Sequence, residues 1–215
     1  MIVLDRSGSM NGEPITAAKD AIARLVRQLA PHDCFGLVVF SSQAEIVVPP
    51  MLMSEHSMDR VQRAVAGIRS TGNTDLSAGY LLGLREIKRS LAATHHTGAT
   101  LLLVSDGHAN SGVREPERLK DVAATALSEG IVTSTLGLGL RYDEILLDAV
   151  TRGGNGNHRF APDVDTAVSE IQQTVSDLLD VSVVAATDTS PRRAMPSTES
   201  DSVRTCPSGA NRDHW

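Results

Sequence analysis

Asp5, Ser7 and Ser9 stand at alternate positions in Asp5-Arg6-Ser7-Gly8-Ser9, Thr74 sits in Gly72-Asn73-Thr74-Asp75, and Asp106 opens Asp106-Gly107-His108. Two carboxylates and three hydroxyls, with no histidine or cysteine among them, form a hard-oxygen donor set. Such a set suits Mg²⁺, with Mn²⁺ or Ca²⁺ as substitutes, rather than zinc or copper. Five donors leave room for a sixth oxygen from outside the chain. Alternate spacing lets three side chains on a tight turn point the same way, and Gly8 lets the backbone bend without a Cβ clash. The plainer reading of Asp5 to Ser9 is an Asx-turn, and Thr74 or Asp75 could equally cap a helix. What separates the two readings is whether the elements bring the segments together.

The elements are legible from periodicity. Ile2 to Leu4 is a short apolar run of buried-strand type that leads straight into Asp5. Pro14 suits a helix start, and Ile15, Ala18, Ile22, Leu25, Val26 and Leu29 share one face before Pro31 closes it. Cys34 to Phe40 and Ala44 to Val48 read as an antiparallel hairpin through Ser41-Ser42-Gln43, with Pro49-Pro50 ending it. Helices are expected over 57–68 and 75–91, a strand over 100–105 ending at Asp106, and a helix opened by Pro116 with Leu119, Val122, Ala123 and Leu127 inward. A strand over 131–138, a helix over 143–151, a short strand over 157–161 and a helix over 164–179 complete the alternation.

Alternating strands and helices imply an α/β, doubly wound, mostly parallel central sheet with helices on both faces, because parallel strands need long crossovers. Ligands of such sheets bind beyond the carboxyl ends of the strands, at the crevice where strand order reverses. Asp5, Ser7 and Ser9 directly follow the first strand and Asp106 directly follows the strand over 100–105. If those strands are neighbours, all five oxygen-bearing side chains converge. From about Ala186 the composition shifts to Thr, Ser, Pro, Asp and Arg, which lacks what a core requires. The expected division is a folded domain over residues 1–185 and a disordered polar tail over 186–215.

These segments carry a resemblance. MIVLDRSGSM resembles the D-x-S-x-S start of a von Willebrand factor type A domain, and GNTDLSAGY and LLLVSDGHAN resemble the segments that complete its metal-ion-dependent adhesion site. DCFGLVVFSS is similar to the family's second strand and TRGGNGNHRFA to the glycine turn before its last strand. The likeness implies a Rossmann-like sheet of order 3-2-1-4-5-6 with one antiparallel edge strand. It also implies a noncatalytic protein-binding module of the kind found in bacterial relatives. There Ser7, Ser9 and Thr74 would bind Mg²⁺ directly, Asp5 and Asp106 would act directly or through water, and a partner protein would offer an Asp or Glu to the open position. The first strand is short for a sheet centre, where roughly five to six residues are usual, so a truncated start is expected.

Other classes fit less well. A haloacid-dehalogenase-type phosphohydrolase also places an Asp after its first strand beside Mg²⁺, but requires a second Asp two residues on, where this chain has Ser7. An adaptor subunit of a bacterial ring-ATPase assembly differs from an adhesive role only in partner and location. No GxSxG, GxxxxGK[ST] or HExxH pattern is present. A net charge of −6 without a dense Lys/Arg cluster argues against nucleic acid, and no apolar run reaches the ~18 residues of a membrane span. With only Cys34 and Cys206, no disulfide framework or zinc site is expected; Cys34 reads as a small core residue. His95-His96 reads as a surface turn, and His108 as a loop residue within reach of Asp106. The first residues show no signal-peptide pattern, which reads as cytoplasmic, or extracytoplasmic if a signal lies upstream.

Overall fold

The strand buried at every position lies at the sheet centre, and its alternation explains both faces of the molecule. In a computed structural model that describes residues 1–94, 98–163, 166, 169, 170 and 173, β1 (Ile2–Asp5) directs Ile2 and Leu4 to one core and Val3 to the other. β1 pairs in parallel with β2 (Cys34–Phe40) on one side and with β4 (Ala99–Ser105) on the other. The sheet has six strands in the order β3-β2-β1-β4-β5-β6, with β3 (Ala44–Leu52) antiparallel at one edge. β5 (Ile131–Leu138) and β6 (Asn155–Ala161) continue the parallel pairing to the other edge. The expected order and class are those of the structure.

α1 (Glu13–Gln28) and α2 (Glu55–Gly67) cover one face, and α3 (Leu76–Ala93), α4 (Pro116–Ser128) and α5 (Glu144–Gly154) the other. α1 buries Ile15, Ala18, Ile22, Leu25 and Val26, the stripe expected from their spacing. Each of its larger aliphatic side chains removed from water contributes roughly 1.5 to 3 kcal/mol. α3 lies close to β1 and β2 because Gly79 and Gly83 face them: a Cβ on Gly79 would stand 2.4 Å from Phe40, and one on Gly83 2.5 Å from Val3.

Three local expectations are corrected. β3 does not stop at Pro49-Pro50 but runs to Leu52, since an edge strand tolerates a missing donor and the register shifts between Phe35 and Leu37 opposite the prolines. α4 turns Leu119, Ala123 and Ala126 fully inward, leaving Val122 and Leu127 half-buried. Cys34 is exposed, not a core residue. The helix expected over 164–179 lies largely outside the described residues, and those of it that are described are helical. His95-His96 and the tail over 186–215 lie outside them altogether. Among the described residues no helix is long and apolar enough to cross a membrane.

Candidate metal centre

Because β1 and β4 are adjacent and parallel, the loops that leave their carboxyl ends meet. Asp5 closes β1, and its carboxylate turns back on the loop it starts: the Ser7 amide donates to Asp5 Oδ1 at 2.7 Å. The Ser105 hydroxyl, at the end of β4, donates to Asp5 Oδ2 at 2.6 Å. Gly8 to Met10 form a single 3-10 turn, and the Gly8 amide donates to the Gly72 carbonyl at 3.0 Å, tying the first loop to the one that carries Thr74. Ser7 Oγ lies 3.0 Å from Ser9 Oγ, and the Ser9 hydroxyl donates to Asp106 Oδ1 at 2.7 Å. One continuous chain of contacts therefore runs Ser105–Asp5–Ser7–Ser9–Asp106 across the two strand ends.

Thr74 joins from a third loop. Asp75, not Thr74, caps α3, its carboxylate accepting from the Ala78 amide at 2.9 Å, so the Thr74 hydroxyl is not committed to capping. Asn110 fixes the Thr74 backbone twice: its side-chain oxygen accepts from the Thr74 amide at 2.9 Å, and its own amide donates to the Thr74 carbonyl at 3.0 Å. A Cβ on Gly107 would stand 3.2 Å from Ser9 Oγ and 3.8 Å from Thr74 Oγ1. Glycine at that position thus keeps open the space that the two hydroxyls and Asp106 surround. Ser9, Thr74 and Asp106 line an open cleft of about 460 Å³, with Asp5 and Ser7 fully buried behind them.

Burial dominates the electrostatics. Asp5 is held away from water, and this desolvation raises its carboxyl to about 6, against the opposing effect of the bonds from Ser105 and Ser7. Asp106 is also shifted upward by burial, with the Ser9 bond and nearby Arg141 pulling the other way.

The donor set fits a divalent ion. Oxygens at right angles around Mg²⁺, each about 2.1 Å from it, lie about 3.0 Å apart. The Ser7–Ser9 and Ser9–Asp106 separations of 3.0 and 2.7 Å are of that size. Among the described residues no group of three or more His, Cys, Asp or Glu could hold a metal, so the hydroxyls are essential to this candidate. His108 lines the cleft but lies 3.5 Å from Asp143 through Nδ1, and Asp143 caps α5. Sequence reasoning missed Ser105, which is hidden as the last residue of a strand, and Asn110, whose role is fixed only by the spatial approach of Thr74.

The family model described as von Willebrand factor type A domain matches residues 1–174. The human inter-alpha-trypsin inhibitor heavy chain H4 is 23% identical over 209 residues, covering 95% of this chain and 22% of the relative. This chain spans less than half the length of the first curated relatives it matches. Among solved structures, a von Willebrand factor type A protein from Catenulispora acidiphila superposes with a TM-score of 0.68 at 20% identity, covering 80% of this chain and 41% of that one. Proximal thread matrix protein 1 from the mussel byssus, with a zinc-occupied MIDAS motif, gives 0.66 at 17% identity, covering 82% and 44%.

Proposed function

We propose that this chain, which belongs to the von Willebrand factor type A domain family, is a noncatalytic module that binds an acidic side chain of a partner protein through a divalent ion. Asp5, Ser7, Ser9, Thr74 and Asp106 would hold the ion, and Mg²⁺ is the metal their oxygens suit first, with Mn²⁺ or Ca²⁺ as alternatives. The observation that carries the reading is the bond from Ser9 to Asp106, which joins the two strand ends at a spacing fit for one cation. When bound, the ion supplies Lewis acidity toward one further oxygen. The chain's own residues hold that ion and orient it: Asp5 fixes the first loop through the Ser7 amide, Asn110 fixes Thr74, and Gly107 leaves room. Hydroxyl ligands are neutral, and with Asp5 and Asp106 acting through water the ion would keep its Lewis acidity toward an incoming Asp or Glu.

A phosphohydrolase reading finds less support. Its second aspartate would fall where Ser7 stands, and Ser7 is buried and bonded within the loop. No enzymatic family is among the matches described above.

Water relaxation on the Mn²⁺-loaded protein tests the reading. Titrated glutarate should displace metal-bound water and lower the relaxivity in the wild type, and have no such effect with Asp106→Ala. An unchanged relaxivity, or steady hydrolysis of p-nitrophenyl phosphate with Mg²⁺, would count against it.

A further inference from the structure

Part of the cleft wall is formed by the turn between β5 and α5, and that turn is held at both ends. At its start Gly139, at φ +68°, donates its amide to the Ala161 carbonyl of β6 at 2.8 Å. At its end the Tyr142 ring lies over Gly137, where a Cβ would stand 2.3 Å away, and stacks on Phe160 at 5.2 Å between centroids. Tyr142 Oη also lies 3.3 Å from His158 Nε2. Between these fixed points Leu140 and Arg141 project outward. Both line the same cleft as Ser9, Thr74 and Asp106. Leu140 is 84% exposed, the most open of the large hydrophobics among the described residues. Arg141 makes no ion pair with any of the described residues, yet it stands near enough to Asp106 to act on its charge.

An exposed leucine and a guanidinium without an ion pair among the described residues thus stand on a fixed turn beside the candidate metal site. We infer that Leu140 and Arg141 form a second subsite that selects partner segments with two acidic residues: one carboxylate for the metal, a second for Arg141, and an aliphatic side chain for Leu140. This rests on the metal-dependent reading above and narrows it to a ligand class. Arg is suited to the task because its planar fork can take a carboxylate bidentately. Because the turn is already fixed, little ordering opposes binding. A molecule of net charge −6 that receives an acidic segment also needs local cations to counter the long-range repulsion.

Arg141 acts on metal and ligand with opposite signs, which makes the inference testable. A guanidinium beside the ion repels it, so Arg141→Ala should leave Mn²⁺ affinity, read by calorimetry with the metal alone, unchanged or tighter. A phage-displayed random peptide library is then selected on the Mn²⁺-loaded wild type, with elution by EDTA. Enriched peptides should carry two acidic residues a few positions apart with an aliphatic neighbour. Their affinity should fall roughly two- to fivefold in Arg141→Ala, the size expected of an exposed ion pair. Selection on Arg141→Glu should exchange the second acid for a Lys or Arg. EDTA-sensitive peptides with a single acid, equally tight on Arg141→Ala, would overturn the subsite while leaving the metal reading intact. Absence of any EDTA-sensitive peptide would overturn both, and loss of Mn²⁺ binding in Arg141→Ala would show Arg141 to be a support of the site instead.

Discussion

Asp5 is buried without a countercharge among the described residues, and a carboxyl raised to about 6 in the folded protein has a definite effect on stability. Between the unfolded value near 3.8 and the folded value near 6, the folded state holds a proton that the unfolded state has lost. Stability therefore falls as pH rises through this window, by about 3 kcal/mol in total at roughly 1.4 kcal/mol per unit. The metal-free protein should melt higher at pH 5 than at pH 7, and a saturating divalent ion should reverse that order by favouring the ionised form. Asp5→Asn should raise the metal-free melting temperature at pH 7 while removing metal binding. The amide oxygen can still accept from the Ser7 amide, and the amide nitrogen can donate to Ser105. If Asp5→Asn is destabilising at pH 7, Asp5 is a structural anchor rather than a ligand of the ion. Thr74→Val keeps shape and leaves the Asp75 cap untouched, so it should weaken Mn²⁺ by at least the roughly 10- to 100-fold that loss of an outer-shell partner costs. The convergence of Asp5, Ser7, Ser9 and Asp106 was readable in the sequence because their segments leave the carboxyl ends of β1 and β4. Thr74 was ambiguous there, since a hydroxyl before a helix serves a cap equally well, and only the structure assigns the cap to Asp75.

Secondary elements position these residues through close approach. The loop that carries Thr74 leads into α3, which is pressed on the sheet through Gly79, whose would-be Cβ meets Phe40 at 2.4 Å. Gly79→Ala gains up to about 1 kcal/mol of helix propensity but forces Phe40 aside, an overpacking cost of about 1 to 3 kcal/mol. The cost should win: urea unfolding should show Gly79→Ala less stable than wild type. Gly67→Ala, with open space around its would-be Cβ, should be neutral or stabilising. Equal stability of both variants would mean that α3 is free to shift. Strand and helix positions were legible because their apolar periods differ. The extension of β3 through Pro49-Pro50 was not, since proline ends a central strand but not an edge strand, and edge status is a property of the sheet. Cys34 misled for a related reason: it opens a buried strand but stands at its exposed end.

At the scale of the molecule, strand order decides what the cluster can be. Only because β1 and β4 are neighbours in β3-β2-β1-β4-β5-β6 do loops from distant parts of the chain share one crevice. The alternation of elements in the sequence indicates the class, and the family likeness indicates the order; neither discloses the turn that bears Leu140 and Arg141, whose place beside Asp106 depends on β5 lying next to β4. The central claim is that five oxygens from three loops bind one divalent ion. Calorimetric titration of Mn²⁺ at pH 7 into the wild type and Asp106→Ala tests it most directly. The wild type should bind a single ion per chain, with no measurable binding to a still-folded Asp106→Ala; equal affinities in the two proteins would contradict the claim and reduce the cluster to a set of polar turns.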